Sequence, residues 1–196
     1  MLENTVSHLI HNIMPSAADY ETAEDALSLA YAADPTPAEW EAAARQAKRR
    51  AAELAIAIDG LTDRCAGELA CSKNGIRSLV AKLCIWPGTN FDRTDCTERI
   101  RGVANAYKHG TLSDPRLPIA SEEDVLAVCT LYGMDVYGAG KYGGIPEVIV
   151  RDTSGGQWKF LADVPVAIAA WMRFLIGHGA IFPLGSYRVC GVEAHP

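Results

Sequence analysis

A heptad repeat between Trp40 and Cys65 constrains the fold of this chain more than any other feature. Apolar residues recur there at alternating spacings of four and three, the periodicity that packs one helix along another. Thr36-Pro37, with Glu39 shortly after, is a typical helix start. The repeat predicts one long helix of about 39 Å at 1.5 Å per residue, and Gly60 is where it could break. Its inward residues are Trp40, Ala44, Ala47, Ala51, Leu54, Ile58, Leu61 and Cys65.

Shorter amphipathic segments surround this helix in the first 110 residues. Pro15 is expected to interrupt the chain between the first two of them, because proline lacks the N–H that a helix interior needs. The short connections between the segments indicate an up-and-down helical bundle over residues 1–110. The predicted helices are residues 2–13, 16–33, 72–86 and 95–109.

The composition changes after residue 110. Residues 111–120 contain two prolines and no periodicity, which predicts a loop. Residues 125–132 are apolar on both faces and predict a buried strand, although Ser121 could instead cap a short helix there. The segment 133–144 holds five glycines in twelve residues and is expected to connect strands.

A β-hairpin and a last helix are predicted near the C-terminus. Residues 147–152 and 157–161 flank a Thr-Ser-Gly-Gly turn. Asp163 could cap a helix over 163–179, whereas the tail 180–196 has no clear pattern. The expected fold class is mainly α: an up-and-down helical bundle with a small antiparallel β-hairpin or sheet inserted before a C-terminal helix. We expect the segment 111–162 to pack on the bundle within one compact domain.

Composition and charge favour an acidic globular protein. Hydrophobic residues make up 49% and charged residues 21%, and the net charge of −6 disfavours broad attraction to nucleic acid. No apolar run is expected to be long enough to span a bilayer, and the N-terminus does not resemble a signal peptide. We therefore expect a cytoplasmic protein with no membrane partner. The six cysteines show no C-x-x-C spacing, which favours free and mostly buried thiols.

Polar side chains gather on one face of the predicted helix at residues 95–109. At 100° per residue they fall within an arc of about 100°, and the apolar residues lie almost opposite. Asp95 with Glu98 resembles a capping box, and Gly110 suits the C-terminal position. A solvated helix face would explain the same pattern, because charged helix faces usually contact only water. The gathered residues are Glu98, Arg101, Asn105, Lys108 and His109.

The glycine-rich segment contains a literal G-x-G-x-x-G pattern at 138–143. A dinucleotide site needs a helix directly after this pattern, and a strand is predicted here instead. The pattern therefore favours a flexible connection, although its backbone N–H groups and Lys141 could hold a small anion or nucleotide. The residues of this candidate ligand site are Gly138, Gly140, Lys141 and Gly143.

Three other motifs have plain structural interpretations. The sequence Asp152-Thr-Ser-Gly is interpreted as turn chemistry between two strands. His8 and His11 have a spacing that can bind a metal, but no matching ligand pair is evident, so no metal or cofactor is expected. A basic cluster on the long helix is either a solvated face or, beside Arg101 and Lys108, a surface that could contact phosphates. The cluster consists of Arg45, Lys48, Arg49 and Arg50.

A helical bundle with an Arg, Asn and His on one polar helix resembles HEPN-type domains of bacterial defence and toxin systems. Their metal-independent ribonucleases carry a His four to six residues after an Arg, whereas seven residues separate Arg101 from His109 here. The segment Asn-Ala-x-Lys-His at 105–109, with the glycine loop, hairpin and Trp-containing helix after it, is similar to uncharacterised bacterial and prophage-associated proteins. The second resemblance covers most of residues 95–178 and implies no known activity.

Three functional hypotheses follow. The first is a non-catalytic binding or structural module of unknown partner. The second is a HEPN-like ribonuclease, assembled as a homodimer through its helices, in which His109 acts as general acid or base. Arg101 and Lys108 would stabilise the charge on the phosphorane and Asn105 would orient RNA. The third is a binder of small anions or nucleotides through the glycine loop.

Overall fold

The heptad segment forms the longest helix of the protein, α3 (Pro37–Leu69). Our computed structural model describes residues 2–110, 112, 117–129 and 140–194. The inward positions of α3 from Ala44 to Cys65 are buried, as predicted. The predicted long helix is confirmed, and α3 runs for 33 residues without the break that was possible at Gly60. The weak helix propensity of one glycine, about 1 kcal/mol, is outweighed by the packing of the helix on both sides of it.

The N-terminal segment is also one continuous helical rod. It consists of α1 (Glu3–His8), a π-helical turn (Leu9–Ile13) and α2 (Met14–Ala33). The expected interruption at Pro15 is therefore wrong. Pro15 lies at the start of α2, directly after the wider π turn, where the missing N–H disrupts the hydrogen-bonding pattern least. The rod packs along α3, and its Leu9, Ile13 and Tyr20 are fully buried.

Two shorter helices complete the helical part before residue 110. In α4 (Lys73–Ala81), Ser72 accepts a hydrogen bond from the N–H of Gly75 and caps the helix. This helix ends earlier than the predicted Trp86, because the chain turns there and Ile85 pairs with Asp92 in an isolated β-bridge. The helix α5 (Cys96–His109) forms as predicted and packs against α3.

The predicted capping box at the start of α5 is wrong. Asp95 has a left-handed backbone (φ 60°) and its side chain makes no capping hydrogen bond. Glu98 forms an ion pair with Arg101 instead of reaching back to the helix start. Gly110, by contrast, has the positive φ of 75° that its position at the helix end requires.

A three-stranded antiparallel sheet lies after the bundle, in the order β1 (Val125–Cys129), β2 (Pro146–Arg151), β3 (Gln157–Lys159). Residues 121–129 contain both predicted alternatives, a helix and a strand. A short 3-10 helix capped by Ser121 directly precedes β1. A strand is confirmed as far as Cys129, but its predicted burial is wrong, because only Val125 is buried and the other four residues are half-buried. Residues 130–132 lie outside the described residues. The hairpin of β2 and β3 is confirmed, with Val150 opposite Trp158.

The helix α6 (Phe160–Gly177) is the core helix. It begins three residues before Asp163, so the expected cap is wrong: Asp163 lies inside the first turn, fully buried and bound to two arginines. With a mean hydropathy of 1.6 over 18 residues, α6 is long and apolar enough to cross a membrane by length and composition, contrary to the sequence expectation. In the structure 78% of that stretch is buried inside the protein.

The C-terminal segment forms a second hairpin that its sequence did not predict. It comprises β4 (Tyr187–Val189) and β5 (Val192–Ala194), joined by Cys190 and Gly191, both with positive φ. Val189 and Ala194 are buried against the core. The protein is thus mainly helical, with two small antiparallel sheets among the described residues.

Candidate functional site

The predicted polar stripe of α5 divides into buried and exposed parts. Arg101 keeps only 18% of its side chain exposed and binds Glu98 at 3.0 Å. Lys108 binds Asp59 of α3, with 3.2 Å between Nζ and Oδ2. Asn105 is half-buried and His109 is exposed, and neither side chain makes a hydrogen bond or ion pair with the described residues.

The stripe therefore does not form one compact site within a single chain. Arg101 and His109 are eight residues apart, which places them about 12 Å apart along the helix axis. Arg101 contacts the junction of α3, α4 and α5, whereas His109 lies at the free C-terminal end of α5. A single phosphate could not lie within hydrogen-bond distance of both side chains without large movements.

A small charged cleft, which we call the arginine cleft, lies at the junction of α3, α4 and α5. Its volume is about 20 Å³. Arg77 of α4 joins Arg101 in it, with 3.6 Å between Arg77 and Asp59. The lining also includes Trp171 of α6 and apolar residues of the core. The polar lining residues are Asp59, Thr62, Arg77, Thr97, Glu98 and Arg101.

A larger open groove, the basic groove, runs over α3 beside the end of α5, with a volume of about 440 Å³. Three members of the predicted basic cluster line its edge, whereas Arg50 binds Glu53 and does not line the groove. Its apolar floor comes from Ala52, Ile56 and the Tyr107 ring. The lining residues are Arg45, Lys48, Arg49, Ala52, Glu53, Ile56 and Tyr107.

The cations of this groove are not equally free. Arg45 binds Glu41 and Arg49 binds Glu53, each one helical turn away. Lys48 forms no ion pair within the described part of the chain. Burial, and then the negative charge of Glu122, raise the pKa of Tyr107, so its phenol is a hydrogen-bond donor at neutral pH. The groove thus offers an unpaired ammonium and a phenol beside apolar surface.

The glycine loop is held by a buried ionic network that links it to α2 and the sheet. Lys141 binds the carboxylate of Glu24 at 2.8 Å and also donates to Ser28 at 2.7 Å. Lys159 binds Glu147 at 3.0 Å and donates to the Lys141 carbonyl. Both carboxylates are fully buried.

The same network determines what the loop can contact. The Lys141 ammonium has three N–H donors. The Glu24 carbonyl, the Ser28 hydroxyl and the Pro146 carbonyl accept from it, so the ammonium is engaged inside the protein. Gly140 has a φ of 63°, and Gly143 lies in the following turn. Gly138 lies outside the described residues.

A second buried network was missed in the sequence. Asp163 receives hydrogen bonds from Arg93 at 2.6 Å and from Arg99 at 2.8 Å. The Arg99 guanidinium lies 4.1 Å from the centre of the Trp158 ring. The signal in the sequence was the position of Arg99, which lies on the apolar side of its helix and not in the polar stripe.

The remaining motifs have structural roles. Asp152 accepts hydrogen bonds from the backbone of Ser154 and Gly156 and from the Trp158 indole, which confirms the turn interpretation. No group of three metal-ligating side chains occurs in residues 2–110, 117–129 or 140–194. All six cysteines are free; three are buried, and burial raises the pKa of Cys65 to about 11.

The arginine cleft and the basic groove are therefore two places where charged side chains of the described residues meet open volume. The first is small and mostly closed, and the second is wide and apolar at its floor. No protein-family model, curated protein or solved structure matches the chain.

Proposed function

We propose that this chain is a non-catalytic binding module and that the basic groove is the surface that contacts its partner. The observation that carries the proposal is the combination of an unpaired Lys48 with an apolar floor in a groove of about 440 Å³. The charges of Asp163, Arg101 and Lys141, by contrast, are each paired within the chain.

The partner that fits this groove best is an acidic protein segment with an apolar anchor residue. The floor formed by Ala52, Ile56 and Tyr107 suits an apolar side chain, and the basic edge suits carboxylates on either side of it. Glu41 and Glu53 alternate with the arginines along the edge, and these carboxylates weaken any attraction to a phosphate backbone. RNA is therefore the less favoured occupant.

Binding of a labelled peptide tests the proposal. We expect a fluorescein-labelled peptide of alternating glutamate and phenylalanine to bind the wild-type protein saturably, as measured by fluorescence anisotropy. Ile56→Ala should weaken this binding about threefold to fivefold, because it removes apolar area from the floor of the groove. Ile181→Ala is the matched control, since Ile181 is 88% exposed and lies outside the groove. Equal affinity in both variants would reject the groove as the contact surface.

A HEPN-like ribonuclease, with a HEPN-like arrangement of the helical bundle, is the second candidate. Its support is the exposed His109 at the end of the helix that also carries Arg101 and Lys108. Since Arg101 and His109 are about 12 Å apart along α5, this activity would require a second copy to complete the site. We expect no RNA cleavage above background by the wild-type protein, and cleavage that His109→Ala and Arg101→Ala abolish would establish the ribonuclease instead.

A further inference from the structure

Two buried donors line the arginine cleft without an acceptor. Arg77 Nε and Arg101 Nε are each shielded from solvent and make no hydrogen bond within the described residues. A buried donor without an acceptor destabilises the folded state. Two such groups around one cavity therefore favour a ligand that supplies the missing acceptor.

The two arginines use only their terminal nitrogens for ion pairs. Arg101 binds Glu98 through Nη2 at 3.0 Å, and Arg77 reaches Asp59 through Nη2 at the longer distance of 3.6 Å. The Nε–H of each remains available. Since Nη2 of each arginine already binds a carboxylate, Nε–H is the donor that each guanidinium can offer to an oxyanion.

The charged side chains that line the cleft balance one another. Arg77 and Arg101 are countered by the carboxylates of Asp59 and Glu98, and Lys108 binds Asp59 from outside the lining. An oxyanion would therefore be held by the two Nε–H groups and not by a surplus charge. Apolar walls from Ile58, Ile100 and Trp171 lower the local dielectric, which strengthens the hydrogen bonds that an oxygen would accept there.

We infer that the arginine cleft binds one oxygen of a small oxyanion, a carboxylate or a phosphate group. The cavity of about 20 Å³ exceeds the roughly 10–15 Å³ that one oxygen-sized group needs. It is too small for a whole phosphate, so the rest of the ligand lies at the mouth. This site is separate from the basic groove, so it extends the proposed function and does not depend on it.

Titration of the arginine Nε–H signals by NMR tests the inference. Sodium acetate and sodium phosphate are added separately to the ¹⁵N-labelled protein, with sodium chloride at matched ionic strength as the reference. We expect the Nε–H signals of Arg77 and Arg101 to shift saturably in the millimolar range with at least one oxyanion. Response to acetate alone identifies a carboxylate site, and response to phosphate alone identifies a phosphate site.

A charge-conserving variant provides the control. Arg101→Lys keeps the positive charge but removes Nε–H, so the affinity reported by Arg77 should fall about tenfold. Arg45→Lys makes the same change at an exposed ion pair and should leave the affinity unchanged. Signals that shift equally with chloride, that do not saturate, or that keep wild-type affinity in Arg101→Lys would overturn the inference and leave the cleft as a water site.

Discussion

Arg99 joins Asp163 to Trp158 in the interior of the protein. Its guanidinium donates two hydrogen bonds to the Asp163 carboxylate, each of 2.8 Å, and lies 4.1 Å from the centre of the indole ring. Arg93 binds the same carboxylate, with 2.6 Å between its Nε and Asp163 Oδ1. Because α5, α6 and the sheet each contribute one of Arg99, Asp163 and Trp158, this contact fixes how they pack.

Loss of the Asp163 charge should destabilise the fold strongly. Asp163→Asn leaves two buried guanidinium groups without their counter-charge, and we expect the free energy of unfolding to fall by about 3–5 kcal/mol. Asp19→Asn removes an exposed carboxylate from α2 and should change it by less than about 0.5 kcal/mol. Urea unfolding followed by circular dichroism measures both. Similar stability of the two variants would mean that the network does not hold the elements together.

The turn at Asp152 should make stability depend on pH. Burial raises the pKa of Asp152, but hydrogen bonds from Ser154, the Trp158 indole and the backbone outweigh it, so the pKa lies below its ordinary value of 3.8. The contribution of Asp152 is therefore fully present above pH 3.8 and is lost as the pH falls through the lowered pKa.

Thermal unfolding of Asp152→Asn across acidic pH measures this dependence. We expect the variant to be less stable by about 1–3 kcal/mol at neutral pH, because the indole loses its acceptor. The difference in unfolding free energy between the variant and the wild type should narrow as the pH falls below 3.8. A difference that stays constant through this range would show that the charge of Asp152 does not contribute to stability.

The glycine loop should tolerate a side chain at one position and not at another. A Cβ at Gly140 would lie 2.5 Å from Glu147 Oε2, and φ there is 63°. At Gly144 φ is also positive, at 91°, but a Cβ would meet no atom within 4 Å. Gly144→Ala should therefore cost about 1 kcal/mol from backbone strain alone, whereas Gly140→Ala should cost clearly more.

Chemical denaturation of the two alanine variants separates strain from steric clash. Both share the backbone penalty, so the difference between them reports the contact with Glu147 and Lys159. If Gly140→Ala were as stable as Gly144→Ala, the buried ionic network would not be packed against the loop as the structure has it.

Patterns along single helices and turns were predictable from the sequence. The heptad positions of α3 and the Asp152 turn each depend on residues close in the chain, and both are present. Contacts between distant segments were not: Arg93 and Arg99 meet Asp163 across 70 and 64 positions. In the sequence Asp163 has the position of a helix cap, because the two arginines that bind it are distant along the chain.

For the candidate sites too, the residues on a single helix were predictable, and their partners on other helices were not. Helical spacing alone placed Arg101 and Lys108 on one face, but Asp59, the partner of Lys108, and the second arginine, Arg77, come from other helices. The basic cluster was visible as four nearby cations, whereas the position of Tyr107 beside it depends on how α5 packs on α3. Local periodicity therefore identified the groups, and tertiary packing determines which of them share a cavity.

The binding role of the basic groove is tested most directly by the affinity of the labelled glutamate–phenylalanine peptide for two charge-reversal variants. Lys48→Glu reverses the unpaired cation of the groove, and Arg188→Glu makes the same charge change at an exposed position on β4, outside the groove. We expect Lys48→Glu to weaken binding about fivefold or more, equivalent to about 1 kcal/mol, and Arg188→Glu to have little effect. Equal affinity of the two variants, or binding of RNA that exceeds binding of the peptide, would contradict the proposal.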